Sequence, residues 1–149
     1  MRAVVTRVSQ ARVVCEGTVA GKIEHGLMAL IGISNEDTAD DVTYIARKIT
    51  SLRVFDDEHG IMNRSVLDVS GAVLLVSQFT LYGNARKGRR PSYNRAAGGD
   101  YARPLFDKLV ETIAAEGIPV ETGVFGGPMS VDSTNEGPVT ILLSSEGEF

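Results

Sequence analysis

Apolar and polar residues alternate along the start of the chain, a pattern that predicts β-strands. The positions on one face of the first strand are Val4, Thr6 and Val8, and those on the other are Ala3, Val5 and Arg7. Residues 11–15 and 18–23 then predict a hairpin around Glu16-Gly17, because glycine tolerates the positive φ of a tight turn. Residues 27–33 form a continuous apolar run, which is typical of a strand covered on both faces.

Two later segments have the spacing of amphipathic helices. The first has apolar residues at Val42, Ile45, Ala46, Ile49 and Leu52, with Asp37, Asp40 and Asp41 expected in its first turn. The second is expected over residues 100–116, with the apolar stripe Leu105, Phe106, Leu109, Val110 and Ile113 and with Gly117 just past its end. Pro104 is placed in the first turn of this helix, where its missing N–H donor costs nothing.

The remaining segments have the character of strands. Residues 53–66 predict a short strand, a polar turn at 56–60 and a return; residues 72–81 predict the clearest strand; and residues 119–125, 129–133 and 139–145 predict three more. No repeat, linker or low-complexity segment divides the chain, so residues 1–149 form a single predicted domain. Two helices among about nine short strands predict an α/β (α+β-like) fold of mixed sheets in a three-layer α/β/β arrangement.

Composition narrows the class of protein. With 43% hydrophobic and 23% charged residues, the chain has the composition of a globular protein. Its apolar runs are too short to span a bilayer and its first residues lack the apolar core of a secretion signal, so we expect a cytoplasmic protein with no membrane partner. Cys15 is the single cysteine, and His25 and His59 have no partner at ligand spacing, so we expect no metal site.

Basic residues are concentrated in one segment of an otherwise acidic protein. The net charge of −4 argues against a protein that coats nucleic acid indiscriminately. Between residues 84 and 103, however, a single acid, Asp100, faces six cations, which are Arg86, Lys87, Arg89, Arg90, Arg95 and Arg103. Such a patch can bind a phosphate-bearing ligand at a defined place, and it can equally be a solvated loop that keeps the protein soluble. Charge alone leaves both interpretations open.

The end of the clearest predicted strand has chemical character. On a strand, Ser77, Phe79 and Leu81 point to one face and Gln78, Thr80 and Tyr82 to the other. A polar face followed by Gly83 and the basic segment indicates the mouth of a pocket, although an ordinary half-buried strand fits the pattern as well. No histidine lies near Thr80 in the sequence, so a site here would work by positioning and by backbone donors, on a substrate that is already reactive.

Gly137-Pro138 separates two predicted strands near the end of the chain. Glycine has no Cβ, so another molecule can contact its backbone, and the peptide bond before proline can be cis. A plain turn between two strands accounts for the same pair of residues, so a role toward substrate is open at this point.

Four segments taken together resemble the D-aminoacyl-tRNA deacylases. They are MRAVVTRVSQARV at the start, SQFTLYG at 77–83, RKGRRPSY at 86–93 and NEGPVTI at 135–141. The similarity runs over residues 1–143 in the same order. It implies a cytosolic homodimer without metal or organic cofactor, whose active sites lie at the subunit interface. It also implies hydrolysis of the ester that joins a D-amino acid to the 3′-terminal adenosine of tRNA, and of glycine mischarged on tRNA for alanine.

The resemblance also assigns roles to residues. Gln78 and Thr80 match the catalytic residues of the family, and Ser77 and Phe79 match substrate-binding neighbours. Gly137 and Pro138 match a cis Gly-Pro pair that reaches into the partner subunit's pocket and rejects L-amino acids, and Arg7 matches the residue that holds this pair. Thr80 is then either a covalent nucleophile or a wall of a pocket in which the substrate's 2′-hydroxyl assists water, with amides near Phe79 and Thr80 stabilising the oxyanion.

On this interpretation the basic segment binds tRNA, and no DNA partner is expected. Contacts to the acceptor-end phosphates are assigned to Arg86, Lys87, Arg89 and Arg90, and stacking on the terminal adenine to Tyr93. Thr6 and Pro128 depart from the family pattern, which leaves open the register of the last strands. Two alternatives remain: a non-catalytic RNA-binding dimer, and a general esterase, against which the lack of a Ser/His arrangement counts.

Overall fold

A computed structural model describes all 149 residues of the chain. Eight strands, two α-helices and one short 3₁₀ helix form in the following order: β1 Arg2–Cys15, β2 Thr18–Ile23, β3 Gly26–Gly32, α1 Ala39–Ser51, β4 Phe55–Asp56, β5 Met62–Arg64, β6 Ala72–Ser77, the 3₁₀ helix Phe79–Tyr82, α2 Gly99–Ala114, β7 Val120–Thr122 and β8 Ser130–Ser144. No helix combines the length and the apolarity that a membrane crossing requires.

Six strands form one sheet with parallel and antiparallel pairs, which agrees with the predicted mixed character. The order is β2-β1-β3-β6-β7, and β8 pairs with the other edge of β1. The three strands that contact β1 are antiparallel to it, whereas β3–β6 and β6–β7 are parallel. The strands β4 and β5 form a separate hairpin. The single-domain α/β fold of two helices and mixed sheets is therefore confirmed.

Apolar side chains cover both faces of the central strands. The larger core, of 22 buried residues, lies on the side of the helices, where Ile45 and Ile49 of α1 and Leu109 and Ile113 of α2 are fully buried. A smaller core contains Val8, Ala11, Val13, Ile23, Met28, Leu74 and Val76. The sheet curls around this second core, and its two ends approach each other. The closeness is seen at Gly21 of β2, where a Cβ would lie 2.3 Å from the Thr122 carbonyl oxygen of β7.

Helix α1 packs as its sequence predicts but is shorter at both ends. The Thr38 side chain accepts from the Asp40 amide and the Asp41 carboxylate accepts from the Thr38 amide, which forms a capping box. Asp37, expected in the first turn, instead precedes the helix and is buried against the N-terminal ammonium of Met1. Leu52, expected within the helix, caps its C-terminus.

Two predictions about the second half of the chain are wrong. Helix α2 begins at Gly99, so Pro104 is its sixth residue and lies beyond the first turn, where its missing N–H leaves the Asp100 carbonyl without a helical donor. The segments 129–133 and 139–145 belong to one strand, β8, because β1 is long enough to pair with both, with register shifts around Arg7 and Val8. The chain around Gly137-Pro138 is therefore an irregularity within a strand and not a turn between two strands.

Candidate active site

The segment from Ser77 to Thr80 turns away from the sheet. The Gln78 amide donates to the Ile31 carbonyl at 2.7 Å, and β3 ends one residue later, so there is no neighbouring strand to continue the ladder. The chain turns at Gln78 into the 3₁₀ helix, which passes over Gly32, where a Cβ would lie 2.9 Å from Leu81 Cβ. The strand predicted to residue 81 therefore ends at Ser77.

This early end of β6 changes which side chains share a face. Gln78 and Thr80 are still together, since Gln78 Nε2 donates to Thr80 Oγ1. Tyr82, predicted on the same polar face, is only 3% exposed and donates to Glu146 Oε1 at 2.7 Å. Burial, together with this hydrogen bond, raises the pKa of the Tyr82 phenol far above its usual range. Tyr82 is therefore an anchor of the segment and not part of its accessible surface.

A cavity of about 420 Å³ opens beside Ser77, Gln78 and Phe79. Its walls come from four places: the residue after β3, the end of β6, the start of α2 and the connection from β7 into β8. The side chains that shape it most include Ala102, Phe125, Met129 and Val131. A mostly apolar cavity with a few polar groups at one end is the usual form of a small-ligand site. No sequence pattern points to Phe125 or Met129, because their place in the cavity depends on elements that are far apart along the chain.

Two backbone amides and no obvious base lie at the mouth of this cavity. The bonding of the 3₁₀ helix begins with the Leu81 amide, which donates to the Gln78 carbonyl at 3.2 Å, so the Phe79 and Thr80 amides have no acceptor within the helix. Neither histidine is nearby: His25 pairs with Glu136 and His59 with Glu58, each on another part of the surface. The mouth therefore offers hydrogen-bond donors rather than a proton-accepting side chain.

The basic segment forms an exposed loop that leads into Tyr93, which contacts Phe79 of the cavity. Two backbone hydrogen bonds between Asn84 and Ser92, of 2.8 and 3.0 Å, close the loop at its base. Four of the six predicted cations are exposed and form no ion pair, and these are Arg86, Lys87, Arg89 and Arg90. Arg95 and Arg103 pair instead with Glu146 and Asp107. Four positive charges are thus free to bind an anion.

Tyr93 connects this loop to the site segment. Its ring meets the Phe79 ring edge to face, with 5.1 Å between centroids, and the two side chains are 38% and 57% exposed. The Tyr93 ring also lies close to the backbone of Gly83, where a Cβ would be 3.1 Å from it. The two rings form an aromatic surface between the basic loop and the cavity, and Tyr93 does not pack in the core.

The Gly137-Pro138 element is exposed and held from beneath by Arg7. The peptide bond is cis, and Gly137 has a φ of +130°. Arg7 Nε donates to the Glu136 carbonyl at 2.9 Å and Nη1 to the Val54 carbonyl at 2.7 Å. A Cβ on Gly137 would lie 3.0 Å from Arg7 Nη2, so a residue without a side chain lets the guanidinium lie against the backbone. Arg7 therefore contacts the Gly137-Pro138 element, as the resemblance to the deacylases implies.

Within one chain, the two parts of the predicted site are far apart. Ser77 pairs with Ile31 of β3, which pairs with Ala3 of β1. The Gly137-Pro138 irregularity in β8 lies opposite Arg7, which is four residues further along β1. Four residues along a strand and three strand spacings across the sheet separate the two parts by about 20 Å. Neither Gly137 nor Pro138 lines the cavity. A single chain does not bring these two elements to one substrate.

Comparison with protein families gives one match over nearly the whole chain. The model of the family described as D-Tyr-tRNA(Tyr) deacylase matches residues 4–144. A protein named D-aminoacyl-tRNA deacylase from Thermus aquaticus is 54% identical over 145 residues, which cover 97% of this chain and 95% of the relative. Proteins of the same name from Thermosipho africanus and Bacillus velezensis are 51% and 52% identical, with coverage of at least 98% of each chain.

Solved structures have the same fold. One described as c-Myc DNA Unwinding Element Binding Protein superposes with a TM-score of 0.92 at 39% identity, covering 97% of this chain and 99% of its own. Another, described as a probable eukaryotic D-amino acid tRNA deacylase, superposes with a TM-score of 0.80 at 17% identity, covering 95% and 97%. At that identity, the second structure supports the fold alone.

Proposed function

The chain belongs to the D-Tyr-tRNA(Tyr) deacylase family, and from this premise we propose how it removes D-amino acids from tRNA. It is an ester-hydrolysing enzyme that acts on D-aminoacyl-tRNA. Its relatives, which match nearly the whole chain at 51–54% identity, are named D-aminoacyl-tRNA deacylase. The observation that supports this most directly is that Ser77, Gln78 and Phe79 line a mostly apolar cavity, while Phe79 contacts Tyr93 of the segment that carries four unpaired cations. We place the reaction in the cytoplasm, where charged tRNA is used.

The substrate's 3′ end lies across this surface in our proposal. The terminal adenosine enters the cavity beside Ser77, Gln78 and Phe79, whose apolar walls suit a flat base. The phosphates behind it lie against the basic loop, where arginine and lysine contacts position an RNA without reading its sequence. Tyr93, whose ring contacts Phe79, stacks on the adenine of this terminal nucleotide.

The chemistry needs no protein base in this arrangement. An aminoacyl ester is already activated and carries a free 2′-hydroxyl on its own ribose. Water attacks the carbonyl carbon, and the proton that the water loses passes through the 2′-hydroxyl to the departing 3′ oxygen as the ester bond breaks. The Phe79 and Thr80 amides donate to the oxyanion, and Gln78 and Thr80 shape the site.

Covalent acylation of Thr80 is the competing mechanism. Thr80→Ala distinguishes the two, because it removes the nucleophilic oxygen and leaves the backbone amides in place. Substrate-assisted hydrolysis predicts that the variant keeps kcat within about ten-fold of the parent, whereas covalent catalysis predicts a loss of about a thousand-fold or more. Single-turnover rates with D-tyrosyl-tRNA measure the difference.

Selection for the D configuration requires a second copy of the chain in our proposal. The Gly137 and Pro138 carbonyls of one subunit hold the substrate's ammonium in the cavity of the other, and an L side chain is then directed into protein backbone. Glycine has no side chain to exclude and is also accepted. The exposure of the element and its distance of about 20 Å from the cavity of its own chain support this homodimer.

Release of the amino acid from three tRNA esters tests the proposed function. We expect rapid hydrolysis of D-tyrosyl-tRNA and of glycine mischarged on tRNA for alanine, and very slow hydrolysis of L-tyrosyl-tRNA. Pro138→Ala, which frees the φ angle that the ring fixes, is expected to lose most of the activity on the D substrate. Unchanged rates and unchanged D/L discrimination in this variant would contradict the role assigned to the element.

Binding of nucleic acid without catalysis is the second candidate. It is favoured by one observation, the name of the solved relative that is described as binding a DNA unwinding element. Saturable binding of D-tyrosyl-tRNA with no release of tyrosine, or displacement of tRNA by equimolar DNA, would support it. Our proposal predicts release, weak competition by DNA, and a KM for tRNA that rises steeply with salt as the loop cations lose their phosphate partners.

A further inference from the structure

The Gly137-Pro138 element is part of a short excursion of β8 away from β1. Residues 136–139 of β8 stand opposite the single residue Arg7 of β1, because the ladder breaks off at Thr140 and resumes at Asn135. The backbone groups of such an insertion have no regular partners in the ladder. The shape of the excursion is therefore set by other contacts.

Asn135 closes the neck of this excursion with both ends of its side-chain amide. Its Oδ1 accepts from the Val139 amide at 2.9 Å, and its Nδ2 donates to Thr140 Oγ1 at 3.0 Å. The orientation of the side chain follows from its chemistry, since a main-chain N–H requires the amide oxygen, and not the NH₂ group, opposite it. The last residue before the excursion is thereby joined to the last residue within it and to the first residue after it.

The Asn135 contact reaches the backbone of Gly137 through Val139. A Cβ on Gly137 would lie 3.1 Å from the Val139 nitrogen and 2.9 Å from Val139 Cγ2, so these two residues are packed tightly against each other. On the other side of the Gly137-Pro138 pair, Arg7 Nε donates to the Glu136 carbonyl at 2.9 Å. The two residues that flank the pair are therefore each held by a side chain, Glu136 by Arg7 and Val139 by Asn135.

We propose that Asn135 is a positioning residue for the deacylation reaction: its amide fixes the direction in which the Gly137 and Pro138 carbonyls project, and it thereby contributes to the selection of D over L substrates. The inference rests on the proposed function of that element, whose carbonyls hold the substrate's ammonium. The resemblance to the deacylases gives a role to Arg7 and none to Asn135. In this role Asn135 acts through the main chain and takes no part in breaking the ester bond.

Three substitutions change the two hydrogen bonds in different ways. Asn135→Ala removes both bonds, and Thr140→Val removes only the bond to the hydroxyl. Because one hydrogen bond changes an equilibrium by about two- to ten-fold, the ratio of kcat/KM for D- over L-tyrosyl-tRNA should fall about ten-fold in the first variant and about three-fold in the second. Asn135→Asp should restore most of the ratio, because one carboxylate oxygen still accepts from the Val139 amide and the Thr140 hydroxyl can donate to the other.

Steady-state kinetics of D- and L-tyrosyl-tRNA, together with melting temperatures, test these expectations. Thr134→Val is the matched control for Thr140→Val, because Thr134 is also an exposed threonine of β8 and lies outside the excursion; it should keep the parental ratio. Thr140→Val and Asn135→Asp decide the test if Asn135→Ala does not fold, because both keep an acceptor for the Val139 amide.

Three results would overturn the inference. The first is a parental D/L ratio in Asn135→Ala, or in Thr140→Val where that variant decides the test. The second is an equal loss of the ratio in Thr134→Val and Thr140→Val. The third is a ratio that falls only in step with the melting temperature, since that would give Asn135 a purely structural role.

Amide hydrogen exchange in ¹⁵N-labelled protein separates this inference from the proposed function. The Val139 amide should exchange about ten-fold faster in Asn135→Ala than in the parent, because its acceptor is gone. The Ser145 amide, which donates to the Met1 carbonyl at 2.9 Å, should exchange at the same rate in both proteins. An unchanged Val139 rate overturns the inference whatever the activity. Faster exchange in a protein that hydrolyses no D-aminoacyl-tRNA leaves the hydrogen bond established, and overturns both the proposed function and the role of Asn135 in selection.

Discussion

At the scale of single residues, Asp37 makes the most consequential contact outside the site. It is 2% exposed; Oδ1 accepts from the Met1 ammonium at 2.5 Å and Oδ2 from the Ser34 amide at 2.7 Å. Ser145 Oγ, 2.7 Å from the same ammonium, ties the end of β8 into the cluster. Helical charge preference predicted Asp37 in the first turn of α1, and its partner 36 residues away left no trace in the local pattern.

Asp37→Asn should strongly destabilise the protein. The substitution keeps the shape of the side chain but removes the carboxylate that contacts the buried ammonium, and only Glu146 Oε1, 3.7 Å away, remains as a counter-charge. We expect the free energy of unfolding to fall by about 2–3 kcal/mol. Asp40→Asn is the control, since Asp40 is exposed at the start of the same helix, and should change stability by less than about 0.5 kcal/mol. Urea denaturation measures both, and equal values for the two variants would refute the importance of the ion pair.

For the residues of the site, too, partners that are distant along the chain leave no trace in the local pattern. SQFT and GPVT mark Ser77–Thr80 and Gly137-Pro138 as candidate site residues because their residue types are specific in combination. Phe125, Met129 and Val131 complete the cavity from a different segment. Contacts between distant segments decide these roles, so a pattern read along the chain does not reveal them.

At the scale of elements, α2 contains a proline that its position does not favour. Pro104 is the sixth residue of the helix and cannot donate to the Asp100 carbonyl. Pro104→Ala restores that hydrogen bond at an exposed position, so we expect the free energy of unfolding to rise by about 1–2 kcal/mol. Lys108→Ala, on the exposed face of the same helix, should have little effect. A proline variant that is less stable than the parent in thermal unfolding would contradict this expectation.

The segment after β8 is held by two carboxylates: Glu146 accepts from Tyr82 of the 3₁₀ helix and pairs with Arg95, and Glu148 pairs with Arg2 of β1. The Arg2 hydrogen bond lowers the pKa of Glu148. For Glu146, burial acts to raise the pKa, but hydrogen bonds from Arg95 and Tyr82 outweigh it and the pKa falls below its usual range. Both carboxylates are therefore held in the charged form by the folded protein.

These lowered pKa values predict a loss of stability in acid. A carboxyl group whose pKa is lower when folded contributes its full stability above the unfolded pKa, about 4.3 for glutamate, and loses it as pH falls through the folded pKa. Unfolding free energies measured between about pH 6 and about pH 3 should therefore fall less steeply for Glu148→Gln than for the parent. Glu36→Gln, at an exposed glutamate with no ion pair, should follow the parent curve. Identical slopes for all three proteins would exclude the effect.

Elements were predictable where one residue pattern decided them. The apolar stripe of α1 and the capping residues Thr38 and Asp41 act locally, so the helix appears where expected. The end of β6 depends instead on where β3 stops pairing, and the continuity of β8 depends on the length of β1. Strand ends are set by neighbouring strands, which is why these two predictions were wrong.

At the scale of the whole molecule, the fold class and the family follow from the sequence, and the resemblance to the deacylases already implies a site divided between two subunits. The sheet places the Ser77–Thr80 segment and the Gly137-Pro138 element about 20 Å apart in one chain. β8 pairs with β1 alone, so its outer edge and the Gly137-Pro138 element are exposed. A two-fold axis that brings this edge to the cavity of a second copy would complete two equivalent sites.

Subunit complementation tests this central claim most directly. Ser77→Tyr, which fills the cavity, and Pro138→Ala, which alters the reaching element, should each be nearly inactive alone. Co-expressed chains form mixed dimers in which one of the two sites has an intact cavity and an intact element, so D-tyrosyl-tRNA deacylase activity should return to about one quarter of the parent value. A mixture no more active than the sum of its separate variants would show that each chain carries its whole site, and would contradict the account.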